Sequence, residues 1–146
     1  MNSTNYIKIE FPSKSSNEAF ARAAAAAFAA QLDPTMEELG DIRTAVSEAV
    51  TNAIVHAYPD RLGKIVLKAR IYENNVLEIV VKDYGKGILD VDQARQPLYT
   101  TGGEERSGMG FTIMESFMDD LRVRSAPGRG TTVTMRRSIS PRVGSR

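Results

Sequence analysis

The chain has 146 residues, 42% hydrophobic and 25% charged, with a formal net charge of +1. That is one globular domain's length, with no strong field calling for nucleic acid or an anionic membrane surface. With no Cys and a single His, disulfide scaffolds, cysteine nucleophiles, thiolate metal sites and multi-histidine zinc sites are excluded, which leaves oxygen-ligated Mg²⁺ or Ca²⁺ as the plausible metals.

No run of about 18 apolar residues occurs, and residues 1–5 lack a basic-then-apolar leader, so a cytoplasmic protein without a membrane segment is expected. Residues 6–11 alternate, with Ile7, Ile9 and Phe11 against Lys8 and Glu10, the pattern of a half-buried strand that Pro12 ends. Ser16 can cap a helix running to about Leu32, with Phe20 and Phe28 as the large side chains of an alanine-rich interior. Arg22 is the only full charge between Ala19 and Ala30. Thr35 and Glu38 form a T-x-x-E capping box, so a second helix begins near Met36 and runs to about Tyr58, ahead of Pro59 and Gly63.

At 100° per residue, Glu48, Asn52 and His56 cover about 80° of that second helix. Its apolar stripe of Leu39, Ile42, Val46, Ala49, Val50, Ala53 and Ala57 centres about 120° away. A carboxylate, an amide and an imidazole therefore face some compartment other than the core. A solvated flank would more often carry Lys and Glu pairs.

Residues 65–72 alternate, residues 76–83 are more continuously apolar, and Glu73-Asn74-Asn75 between them makes the pair a hairpin. After Asp83 the chain turns glycine-rich, at Gly85 and Gly87, and then irregular. Residues 96–107 contain Pro97, Gly102 and Gly103 without a hydrophobic period, and read as a mobile loop of functional length. Gly108-Met109-Gly110 opens a further helix, with Phe111, Ile113, Met114, Phe117 and Met118 on its apolar side. Residues 121–125 and 131–137 are strands about the turn Pro127-Gly128-Arg129-Gly130. Residues 138–146 have a tail's composition, expected to be disordered beside a single domain spanning residues 1–137. The order β-α-α-β-β-loop-α-β-β suits a two-layer α/β (α+β) sandwich, an antiparallel or mixed sheet with its helices on one face.

Familiar nucleotide signatures are missing: there is no P-loop, no G-x-G-x-x-G after a strand, and no H-R-D loop to accompany Asp83-Tyr84-Gly85. The acids and glycines nevertheless sort into one chemistry. A strand-end Asp, Asp83, can accept a hydrogen bond from an exocyclic amine such as that of adenine. The Asn52 oxygen can ligate Mg²⁺ that also holds phosphate oxygens. Glu48, one turn away, can take a proton from an attacking hydroxyl. Arg106 can reach a terminal phosphate, and Gly108 to Gly110 can cradle phosphate ahead of a helix. Singly, a turn Asp, a helix-flank Asn and a solvated loop charge account for Asp83, Asn52 and Arg106; jointly, in this order, they do not.

Glu48-x-x-x-Asn52, Asp83-x-Gly85-x-Gly87, Gly108-x-Gly110 and Gly130-Thr131 resemble the four boxes of the GHKL superfamily, which includes gyrase, histidine kinases and MutL. The resemblance covers residues 6–137. Leu32-Asp33-Pro34-Thr35, residues 47–53 and residues 106–111 are similar to the anti-sigma serine kinases, most closely the sporulation anti-sigma-F factors. This implies a Bergerat-type ATP-binding sandwich with a mixed, mostly antiparallel sheet. It also implies a homodimer without nucleic-acid or membrane partners, a sigma factor held inactive, and an anti-anti-sigma protein phosphorylated on serine.

By the same resemblance, Glu48 would be the general base and Asn52 the Mg²⁺ ligand. Asp83 would recognise adenine with help from Thr131, and Gly108, Met109, Gly110 and Phe111 would cradle phosphate. Gly85, Gly87, Ile88, Thr100 and Thr101 would complete the ATP/ADP contacts, Arg106 in the lid would face the γ-phosphate, and Arg22 would touch protein partners. Relatives often carry Thr-Thr-Lys-Pro in the lid, where Gly102 and Gly103 follow Thr101 here, so lid closure is put in doubt. His56 has no role beyond that of a polar helix-end residue. A nucleotide-gated binding module without kinase activity, a general-stress anti-sigma kinase of the same family and a detached histidine-kinase domain are the competing readings.

Overall fold

The computed structural model describes residues 3–96 and 107–140. Thr100, Thr101 and Arg106, and with them the predicted lid, lie outside the described residues, as do residues 141–146. Five strands, β1 (Ser3–Pro12), β2 (Lys64–Tyr72), β3 (Val76–Asp83), β4 (Asp120–Ala126) and β5 (Gly130–Ser138), form one sheet in the order β1-β2-β3-β5-β4. All four pairings are antiparallel, so the mixed variant of the expected sheet is not used. Helices α1 (Ser16–Ala29), α2 (Met36–Asn52) and α4 (Ser107–Phe117) form the second layer, with α2 packed between the other two. A four-residue helix, α3 (Val91–Ala94), interrupts the stretch read as irregular. Among the described residues, no helix is long and apolar enough to cross a membrane.

Side-chain alternation explains why the sheet buries one face. Ile65, Leu67, Ala69 and Ile71 of β2 and Leu77, Ile79 and Val81 of β3 enter a single core with Val133 and Met135 of β5. Ile42, Ala45, Val46, Ala49 and Val50 of α2 meet them there, while Leu39 is only half-buried. Burying a side chain such as Ile42 contributes roughly 1.5–3 kcal/mol. On the other face Glu78 is buried between its neighbours, accepting from the Tyr72 hydroxyl (3.1 Å) and pairing with Arg136 (2.7 Å).

The capping box forms as expected. Thr35 Oγ1 accepts from the Glu38 N–H at 3.0 Å, and Glu38 Oε1 accepts from the Thr35 N–H at 2.8 Å. The second Glu38 oxygen accepts from the Ser140 N–H at 3.1 Å, so the box also anchors the chain beyond β5. Ile139 beside it is buried, and β5 continues through Ser138, both beyond the expected domain limit at residue 137. Thr35→Ala should therefore cost about 1 kcal/mol, within the usual range for a lost N-cap, as read by urea unfolding. The first helix departs from expectation at its start: Ser15, not Ser16, occupies the N-cap position, and its side chain makes no capping bond. The second also departs, because regular α-geometry stops at Asn52 and Ala53–Ala57 form a wider π turn.

Candidate functional site

That π turn forms one wall of a cavity of about 400 Å³ between α2, the ends of β3 and β5, the loop after β3, and α4. Asn52, Asp83, Gly87, Ile88, Phe111 and Thr131 line it, six of the residues expected to bind nucleotide. His56, which helical spacing put on one face with Glu48 and Asn52 but which had no chemical role, also lines it, from the π turn. A π turn changes the phase of the helix, so His56 does not follow Asn52 by the α-helical step.

The β3–β5 register sets Asp83 directly opposite Thr131. Asp83 is 6% exposed, and its Oδ1 accepts from the backbone N–H of Gly85 (3.0 Å) and of Thr131 (3.2 Å). No described residue donates to Oδ2. Burial pushes the carboxyl above its ordinary value, and the two amide hydrogen bonds pull it part of the way back. Gly85 is not in the cavity wall, so its contribution runs through the orientation of Asp83.

The glycine clusters at 85–87 and 128–130 hold each other. The Gly128 N–H donates to the Lys86 carbonyl at 2.7 Å, and the Lys86 N–H to the Ala57 carbonyl at 3.1 Å. Gly130 has φ +103°, and a Cβ there would collide with the Asp83 carbonyl, so this position requires glycine for close backbone approach. Tyr58, read from the sequence only as a helix end, is buried and braces the same loop: its hydroxyl donates to the Lys64 carbonyl (2.7 Å) and accepts from the Tyr84 N–H (2.6 Å).

At α4, Gly108, Met109 and Gly110 fall in the first turn, whose N–H groups lack intrahelical acceptors and suit an anion. A Cβ at Gly110 would come within 3.0–3.1 Å of the Asn52 amide nitrogen and oxygen, so glycine here lets the helix start lie against Asn52. An amide oxygen beside a helix start that suits an anion fits Mg²⁺, which is commonly held by one or two protein oxygens plus substrate phosphates and water. No cluster of three or more His, Asp or Glu suited to holding a metal alone occurs among the described residues.

Glu48 is half-buried on α2, one turn before Asn52, and stands outside the cavity lining. Arg22, on α1, does not line the cavity; its side chain is 40% exposed and its Nε lies 3.7 Å from Glu18.

A family model described as histidine kinase-like ATPase domain matches residues 11–137. An anti-sigma F factor of Pasteuria penetrans is 59% identical over 133 residues, 90% of this chain and 89% of that protein. Another, of Caldanaerobacter subterraneus subsp. tengcongensis, is 57% identical over 140 residues, 95% of this chain and 97% of that protein. Among solved structures, the RsbU and RsbW domains of a Mycobacterium tuberculosis protein superpose with a TM-score of 0.70 at 22% identity, over 94% of this chain and 33% of that one. The mycobacterial sensor histidine kinase MprB does so with 0.60 at 14% identity, over 93% and 100%. At those identities the structural likeness is one of fold.

Proposed function

The chain belongs to the histidine kinase-like ATPase domain family, and from that premise we propose that it is an anti-sigma F factor that holds a sigma factor of the sigma-F type inactive. In this reading it is also a protein-serine kinase that uses ATP and Mg²⁺ to phosphorylate its anti-anti-sigma partner, and it works as a cytoplasmic homodimer. The observation that carries the reading is the extent of the likeness to anti-sigma F factors, 95% of this chain in one relative, joined to a cavity that gathers Asn52, Asp83 and Thr131.

Each residue has a stated task. Asp83 and Thr131 receive the base, and the first turn of α4 receives phosphate oxygens. Asn52 would hold Mg²⁺, which would supply charge neutralisation at the phosphates. Glu48 takes the proton of the attacking serine, Arg106 meets the γ-phosphate, and Arg22 contacts the protein partners.

The deciding experiment incubates the protein with γ-labelled ATP, Mg²⁺ and an anti-anti-sigma protein. Label on a partner serine is expected; retained sigma binding with no label would leave a nucleotide-gated binding module. Asn52→Ala should lower ATP affinity at least tenfold in Mg²⁺, by analogy with the loss of metal-site partners, and much less in EDTA. Isothermal titration in both buffers reads the difference, and an equal Mg²⁺ benefit in both proteins would remove Asn52 as the ligand.

A further inference from the structure

We infer that Ser125 of β4, which is not in the cavity wall, is a positioning residue: it fixes the direction of the Thr131 hydroxyl and so sets the preference of the site for a 6-amino over a 6-oxo purine. This rests on the reading that the base lies against Asp83 and Thr131.

Ser125 Oγ accepts the Ile88 N–H at 2.7 Å, and lies 3.0 Å from the Gly130 carbonyl oxygen and 2.8 Å from Thr131 Oγ1. A serine hydroxyl has one proton and two acceptor lone pairs, while a carbonyl oxygen only accepts. The Ser125 proton therefore goes to Gly130, and the remaining contact requires Thr131 to donate. With the Ile88 N–H and the Thr131 hydroxyl arriving, both Ser125 lone pairs are filled and all three contacts are satisfied at once.

Thr131 thus spends its only hydroxyl proton behind the cavity wall and offers a ligand lone pairs alone. Beside it, Asp83 offers the lone pairs of Oδ2. Two neighbouring acceptors favour an exocyclic amine, which donates. A 6-oxo group brings its own lone pairs against them, leaving polar groups unpaired in a buried site. Ser125 also ties Ile88, in the loop after β3, and the adjacent Gly130 and Thr131, at the start of β5, to one atom.

The test is the ratio of ATP to ITP affinity, measured by titration of the full chain. Ser125→Ala releases the Thr131 proton to turn toward a 6-oxo oxygen, so the ratio should fall about tenfold, the worth of one neutral hydrogen bond. Ser125→Thr, which keeps the hydroxyl, should restore it. Equal losses of ATP and ITP affinity in Ser125→Ala, with the ratio held, would reduce Ser125 to a structural role and overturn the inference. Should that variant not fold, Thr131→Val supplies the second arm, and an unchanged ratio there overturns it equally. Asp83→Asn separates the two levels. If it leaves the ratio at the parent value, the base does not lie against Asp83 and the underlying reading fails. If it collapses the ratio while Ser125→Ala does not, only the role of Ser125 fails.

Discussion

Glu48→Gln is expected to bind nucleotide and sigma factor as the parent chain does and to transfer phosphate about 10²- to 10⁴-fold more slowly, the usual contribution of a positioned general base. Glutamine matches the shape of glutamate and keeps one acceptor oxygen, but its amide cannot take up a proton at neutral pH. Regular α-geometry runs through residue 52, so Glu48 stands one true turn from Asn52, about 40° round the helix. That places a carboxylate beside the proposed metal and phosphate position, outside the lining of the cavity. Removing it should leave nucleotide affinity intact and act on the chemical step alone. Single-turnover transfer at saturating ATP, with affinity measured separately, distinguishes the outcomes. Undiminished transfer would take the role away from Glu48, and a large loss of affinity would make it a binding residue instead.

Sequence reading succeeds here wherever the determining groups are close in the chain. Thr35 and Glu38 recognise each other across three residues, and Ile65, Leu67, Ala69 and Ile71, which alternate in the sequence, are all buried in β2, with Val66 and Tyr72 buried besides. Four residues are too few to show a 3.6-residue period, so α3 leaves no signal. The five residues of the π turn are as compatible with an α-helix as with the wider turn they form. Ile139 is one apolar residue in a stretch of Ser, Pro and Arg, and only its burial reveals it as core.

The site divides in the same way. Asp83, Asn52 and the glycines around them stand in short strings whose chemistry can be named residue by residue. The contact between the Thr131 N–H and Asp83, 48 residues apart, comes from β3–β5 register, and the role of Ser125 depends on three partners that no local motif unites. Gly85 and Gly130 read locally as turn glycines, not as the pieces that aim Asp83 and let the two turns interlock.

Asp83→Asn should abolish most nucleotide affinity, by about 100-fold or more, while leaving the unliganded protein as stable at neutral pH as the parent, or more so. The binding loss follows from the number of acceptor atoms. The Gly85 and Thr131 amides both donate to one oxygen of Asp83, and a ligand amine needs the other. Asparagine has only one side-chain oxygen, so either rotamer sets its NH₂ against donors, and a hydrogen bond to a charged acceptor is worth about 1.5–3 kcal/mol before that conflict is added.

The stability gain follows from the sign of the Asp83 shift. Burial raises its folded pKa above the unfolded value of about 3.9, so its contribution to stability is fully present below that value and is lost as pH rises through the folded pKa. At neutral pH the ionised carboxylate is therefore a cost to the empty protein, partly offset by two amides and further offset by a bound amine. Glu38 behaves oppositely. Burial alone would raise it, but hydrogen bonds from Thr35 and Ser140 and the Arg137 charge outweigh that, so its contribution is present above its unfolded pKa and lost as pH falls through its folded one. Because Glu38 is common to both chains, it cancels when parent and variant are melted side by side. The parent-minus-variant difference in Tm should decline as pH rises from below 4 through the raised Asp83 pKa and then level off. A difference flat over that range would mean that Asp83 carries no raised pKa in the folded chain. Retained ATP affinity in Asp83→Asn would place the base elsewhere in the cavity.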